Sequence, residues 1–200
     1  MFALVESGTI TQFPKGNKGI TIGDNQYPQS IYTVWTEAER NAIGIYTVQM
    51  DYTNRKDEAF YINTDVTYTF TGSAVTGTYG TATAKQLADT NAVDEDGNNV
   101  LDDDGNQVIN YGLKTQYKNK FNAEAAGLLA KTDWYVIKAT DVTDYNVPSN
   151  VATYRAAVRT KVNAMETSID NCSDIDALIT LLTYTTDSEG VQSRPLGEFP

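Results

Sequence analysis

Asp133, Arg155 and Arg159 are the residues whose types and spacing best suit a specific polar contact. The arginines are four apart, one helical turn, and a carboxylate facing them can accept a guanidinium in a fixed, bidentate geometry. That is anchoring chemistry rather than turnover. Left in solvent, such a pair is worth about 0 to 1 kcal/mol, so a docking clamp and a surface pair both stay open. The other candidate is an acidic repeat, in which Val93 to Val100 aligns without gaps on Leu101 to Val108, each copy carrying Asp-Gly-Asn. Asp94, Asp96, Asp102 and Asp104 would be its calcium ligands. The EF-hand spacing fails, because glycine falls three residues after the first Asp instead of five and no Glu closes the loop. A solvated acidic hairpin is the better expectation, and neither a metal nor a cofactor is expected.

The chain contains no histidine. Ser-His-Asp, Cys-His and histidine-ligated metal chemistries therefore have no place within it, which leaves only carboxylate pairs or a lysine base. No carboxylate pair stands out among 26 acidic residues. The net charge of −11 argues against nucleic acid and anionic membrane as partners, since both require clustered Lys and Arg. No apolar run approaches the length of a membrane span, and the N-terminal residues do not read as a signal peptide, so a cytoplasm is the expected location, at least at first. Cys172 is the single cysteine and reads as a small core hydrophobe.

The elements that must position these residues divide the 200-residue chain in two. Residues 1–79 read as strands. Glu6-Ser7-Gly8 marks a hairpin, Thr36 to Glu39 a capping box with Gly44 ending a short helix, and residues 46–52, 59–63, 66–71 and 74–79 a meander. Residues 80–131 read as a helical connector, helical over 81–92, with the acidic hairpin inserted at 93–110. In it, Leu113, Tyr117, Phe121, Ala125 and Leu128 line one face of a helix that ends near Gly127 to Ala130. In the helical segment 132–184, Trp134 is expected to leave a tight turn and lie buried between two helices, with Tyr135 to Ile137 extended after it. Pro148 and Ser149 open the next helix, whose apolar face is Tyr154, Ala157, Val158, Val162, Met165, Ile169 and Cys172. Ser173 and Asp176 are the expected caps of a last helix, and 185–200 reads as an extended tail. The fold class is α+β: an antiparallel β-rich N-terminal module followed by a helical C-terminal half.

Leu128-Leu129, Thr132-Asp133-Trp134 and Tyr154-Arg155 through Arg159 together resemble the C-terminal signature of tail assembly and tail fibre assembly proteins of tailed bacteriophages, with Val158 where leucine is commoner. A second, looser similarity to an N-terminal module of phage tail-associated proteins runs through Tyr27-Pro28, Trp35-Thr36-Glu37 and Ile43 to Val48. The resemblance implies a non-enzymatic role: a chaperone of a tail or tail fibre protein, or a minor structural component of the virion. Its implied partner is a tail or tail fibre protein, and self-association stays open. Asp133, Trp134, Tyr154, Arg155 and Arg159 are the implied structural or interaction residues. The rival readings are a receptor- or glycan-binding module using Tyr61, Tyr68 and Tyr79 as stacking platforms, and a carboxylate glycosidase.

Overall fold

The computed structural model describes residues 1–200 and divides them into two compact units, Met1–Thr83 and Ala84–Pro200. The class is α+β, with an antiparallel-rich sheet in the first unit and the helices concentrated in the second.

In the first unit, β1 (Phe2–Glu6) and β2 (Thr9–Gln12) form the expected hairpin, with Ser7 and Gly8 both at positive φ. A second hairpin joins β3 (Ile20–Ile22) to β4 (Asn25–Tyr27). A 3₁₀ turn at Gln29–Tyr32 leads to α1 (Glu37–Ala42), where Thr36 and Glu39 make the full capping box. Strands β5 (Ile45–Asp51), β7 (Val66–Phe70) and β8 (Val75–Tyr79) complete a sheet ordered β2-β1-β5-β8-β7. Of the expected meander only the last hairpin, β7 with β8, is there: β5 and β8 run parallel, with Val48 opposite Val75. The strand expected over 59–63 shrinks to β6 (Tyr61–Ile62), which pairs with β9 (Thr83–Ala84) instead of joining the sheet. Its flanks are pinned elsewhere, by Asn63 pairing with both backbone groups of Lys56 and by Asn54 donating to the Tyr79 carbonyl at 2.9 Å.

Strand alternation puts apolar residues on both faces of this sheet. Ala3, Val5, Val48 and Val75 point one way with Ile10, Tyr46, Met50, Tyr68 and Phe70, and every one of these residues belongs to the sheet itself. They are buried because the sheet curls until β2 approaches β7 and the Phe13 and Tyr68 rings lie 4.6 Å apart. Gly77 is needed inside the curl, since a Cβ there would sit 2.8 Å from Met50 Sδ and the Tyr68 ring. The opposite face, with Leu4 and Ile45, is covered by Ile31, Tyr32, Ile20, Ile22 and Trp35.

The second unit opens differently from expectation. Residues 81–92 form no helix; they run extended into β10 (Thr90–Asn91), which pairs with β11 (Ile109–Asn110). The reason is the start of α2 (Leu113–Ala130), whose N-cap is Gly112 and offers no side chain. The unpaired N–H groups of that first turn go to the 86–89 segment: Leu113 donates to the Gln86 carbonyl, Lys114 to that of Leu87, and Gly112 to the Asp89 carboxylate.

The acidic repeat folds as two tight hairpins rather than one. In each, Asp N–H pairs with the Asn carbonyl four residues on, Gly N–H returns to the Asp carbonyl, and the glycine sits at φ near +82, as a three-residue loop with a G1 bulge requires. With β10 and β11 they meet in a three-way junction: Ala92 donates to Val108, Val108 to Val100, and Val100 to Ala92. A third copy of the turn, without the sequence repeat, lies at Asp187 to Val191, between β12 (Thr185–Thr186) and β13 (Gln192–Ser193).

Helices α3 (Asp133–Asp141), α4 (Ser149–Asp170) and α5 (Ile175–Leu182) follow. Helices α2 and α4 pack antiparallel, laced by Lys118 to Asp170 and Asn122 to Glu166. Between and beside them lie Leu113, Phe121, Ala125, Val158, Val162, Met165, Ile169, Cys172 and Leu178, all buried. Asp174, and neither Ser173 nor Asp176, caps α5 by accepting from Ala177 N–H. The tail is not simply extended: after the β12–β13 hairpin, Leu196 is buried, with its N–H on the Leu181 carbonyl and its own carbonyl held by Lys161.

Candidate functional site

Helix α2 ends at Ala130, and two residues later Asp133 begins α3. The turn between them is local: Thr132 donates both its N–H and its hydroxyl to the Leu129 carbonyl. Into this corner α4 delivers Arg155, a charged side chain in a residue only 7% exposed. Its Nη1 donates to the Leu129 carbonyl at 2.8 Å and to Thr132 Oγ1 at 2.7 Å, and its Nη2 to Asp133 Oδ1 at 2.8 Å. One guanidinium thus ties the end of one helix, the connecting turn and the start of the next. Each contact has the favourable sign, because the cation lies at the C-terminal, negative end of α2 while Asp133 lies at the N-terminal, positive end of α3. The planar fork reaches three acceptors, which a lysine ammonium on its flexible stem would not match.

The expected pairing of Asp133 with an arginine is therefore present through Arg155 alone. Arg159 is exposed and enters no ion pair. Tyr154 is half-buried on the neighbouring position of α4. Trp134 requires a correction: it is 59% exposed, not a core anchor, and Tyr135 to Ile137 are helical, not extended. The turn at Thr132 passes directly into helix, with Tyr135 N–H on the Thr132 carbonyl, and the phase of that helix turns the indole outward. The corner where α2, α3 and α4 meet is occupied by the Arg155 guanidinium instead.

No residue of α3 is buried. Tyr135 and Ala139, four apart, form its half-buried side, whereas Trp134, Val136 and Ile137 are exposed, and Val142 beyond the helix is exposed too. Trp134 is held at the surface by an edge contact to Tyr135 at 5.1 Å and by Lys138, whose ammonium lies 4.9 Å from the indole and 4.3 Å from the Tyr145 ring. The result is a helix on a fixed mount that exposes Trp134 and Ile137, three apart, beside Asp133, Thr140 and Asp141. Exposed aromatic and aliphatic side chains grouped in this way mark interaction surfaces more often than catalytic ones.

Of the four carboxylates that calcium would use, those of Asp94 and Asp102 are engaged by their own turns. Asp94 Oδ1 accepts the N–H of Asp96 and of Asn98, and Asp102 Oδ1 those of Asp104 and Asn106. Both carboxyls are held below the usual carboxylate range, first by the backbone N–H of Asn98 or Asn106. The three tyrosines of the stacking reading form no open platform: Tyr61 is buried, while Tyr68 and Tyr79 are half-buried against Phe13 and Tyr52. Cys172 is buried, which pushes its thiol pKa up and leaves it unreactive. No helix is long and apolar enough to cross a membrane. No protein-family model, curated protein or solved structure matches the chain.

Proposed function

We propose that this chain is a non-enzymatic tail protein of a tailed bacteriophage, acting in tail or tail fibre assembly or as a minor component of the virion, and that α3 is its docking surface for a tail or tail fibre protein. The observation that carries this reading is a helix with no buried residue, exposing Trp134 and Ile137, yet anchored at its start by a buried guanidinium. A surface helix with nothing to cover would ordinarily be polar outward. Here the anchor pre-orders the helix, so a partner does not have to supply the free energy of ordering it. The residues of the anchor are Leu129, Thr132, Asp133 and Arg155, the same ones that carry the resemblance to phage tail assembly proteins. The acidic surface suits a protein partner better than nucleic acid.

Mass spectrometry of purified virions tests the two branches. Presence of the chain in the particle assigns it a structural place, while absence, combined with loss of tails when the gene is deleted, assigns it to assembly in the host cytoplasm. A deletion that leaves fully infectious, normally tailed particles would overturn both.

A further inference from the structure

We propose that the junction of the acidic hairpins, within residues 90–110, is a second docking surface, which takes a basic, amphipathic segment of a partner protein. The eight-residue period runs one step further than the two acidic copies: Asn91-Ala92-Val93, Asn99-Val100-Leu101 and Gln107-Val108-Ile109 follow one another at that spacing. In the structure these three steps are equivalent. Val93 lies opposite Asn99, Leu101 opposite Gln107 and Ile109 opposite Asn91, so the three ladders close into a ring. Residues opposite one another in an antiparallel ladder share a side, as do residues two apart along a strand. Val93, Leu101 and Ile109 therefore all project from one side of the ring, and they are 55%, 56% and 38% exposed. The chain leaves this apolar triad in water.

The surface is pre-formed. Gln107 lies on the same side, and its Nε2 donates to the Ala92, Val100 and Val108 carbonyls at 2.9, 3.1 and 2.8 Å, one from each step. A single amide thus holds the ring closed, and a partner does not have to order it. The other atom of that amide, Oε1, is buried and has no donor in the chain, an acceptor that an incoming N–H would satisfy. Charge selects the occupant. Residues 93–108 hold six acidic side chains and no basic one, and Glu95, Asp96, Asp103 and Asp104 at the turns are exposed and enter no ion pair. A second copy of this chain would set like charges against one another, and nucleic acid or an anionic membrane would be repelled. A protein segment with apolar residues for the triad and Lys or Arg for the turns meets both features. The junction shares no residue with α3, so the reading of that helix can fail without it.

The test is heteronuclear NMR of the full chain titrated with a synthetic amphipathic peptide of leucine and lysine, with oligolysine and a leucine–glutamate counterpart as controls. The leucine–lysine peptide is expected to shift the amides of residues 91–93, 99–101 and 107–109. Leu101→Ser should weaken it about tenfold, the loss of one leucine from the contact. Glu95→Gln combined with Asp103→Asn should weaken it about threefold, and added salt should weaken it too. Both variants change exposed side chains and should leave the rest of the spectrum in place. The proposal is overturned if those amides do not move, if the shifts are confined to residues 133–142, if oligolysine binds as tightly and Leu101→Ser has no effect, or if the leucine–glutamate peptide binds as tightly. Concentration-dependent dimerisation through the same amides would assign the face to a second copy of the chain and overturn it as well.

Discussion

At Trp134 and Arg155, sequence intuition about which side chain is the anchor is inverted. The large aromatic is at the surface and the charged residue is inside, because a guanidinium can satisfy a helix-end carbonyl, a hydroxyl and a carboxylate at once, whereas an indole N–H can satisfy one. Trp134→Ala is expected to change stability by no more than about 0.5 kcal/mol, as for other exposed positions, and to abolish tail assembly. Chemical denaturation beside a plaque assay checks this, and a strongly destabilised variant would return Trp134 to the core. Arg155→Ala should cost about 3 kcal/mol, since it leaves the Leu129 carbonyl and Asp133 without their shared donor. Asp133→Asn should cost less than about 1 kcal/mol, because that carboxylate is half exposed and water replaces its partner. Equal losses from the two substitutions would refute the assigned hierarchy.

At the scale of elements, the turns at Asp94, Asp102 and Asp187 are one device used three times: an aspartate whose Oδ1 gathers two N–H groups, followed by glycine at positive φ. For the first two, the folded carboxyl pKa lies below the unfolded value, so the contribution to stability is fully present above the ordinary carboxylate pKa of about 4 and is lost as the pH falls through the lower folded value. We therefore expect the amide resonances of Asn98 and Asn106 to hold their positions down to that range and then move together below it, while the α2 and α4 resonances lag. If they titrate above it, the carboxylates are not engaged as described. Because Oδ1 is already engaged in each turn, millimolar calcium should leave the melting temperature unchanged; a clear rise removed by Asp96→Ala would show that the turns open to bind metal.

At the scale of the molecule, each unit carries its own buried set. The curled sheet buries both of its faces with residues 3–75, and α2, α4 and α5 close over Phe121, Met165, Ile169 and Leu178 together with Leu196 from the tail. Fragments 1–84 and 85–200 are accordingly expected to fold separately, each with dispersed NMR spectra that overlay on those of the full chain. A disordered fragment would show that one unit depends on the other.

Much of this was legible in the linear pattern. The Leu113 to Leu128 and Val158 to Ile169 faces, the Thr36 capping box and the Ser7-Gly8 turn depend on interactions spanning a few residues, where spacing and side-chain type decide the outcome. What only the tertiary structure decided were partnerships across long sequence distances. The parallel pairing of β5 with β8, the extended path of 81–92 and the outward turn of Trp134 each follow from a distant group: β2 closing on β7, the unpaired start of α2 at Gly112, and Arg155 reaching 26 residues back to Leu129. The sequence identified Asp133 and an arginine four residues from another as a candidate pair, but both arginines had the right charge. Only the packing of α4 against α2 determined that Arg155 would be buried at that corner and Arg159 left in water.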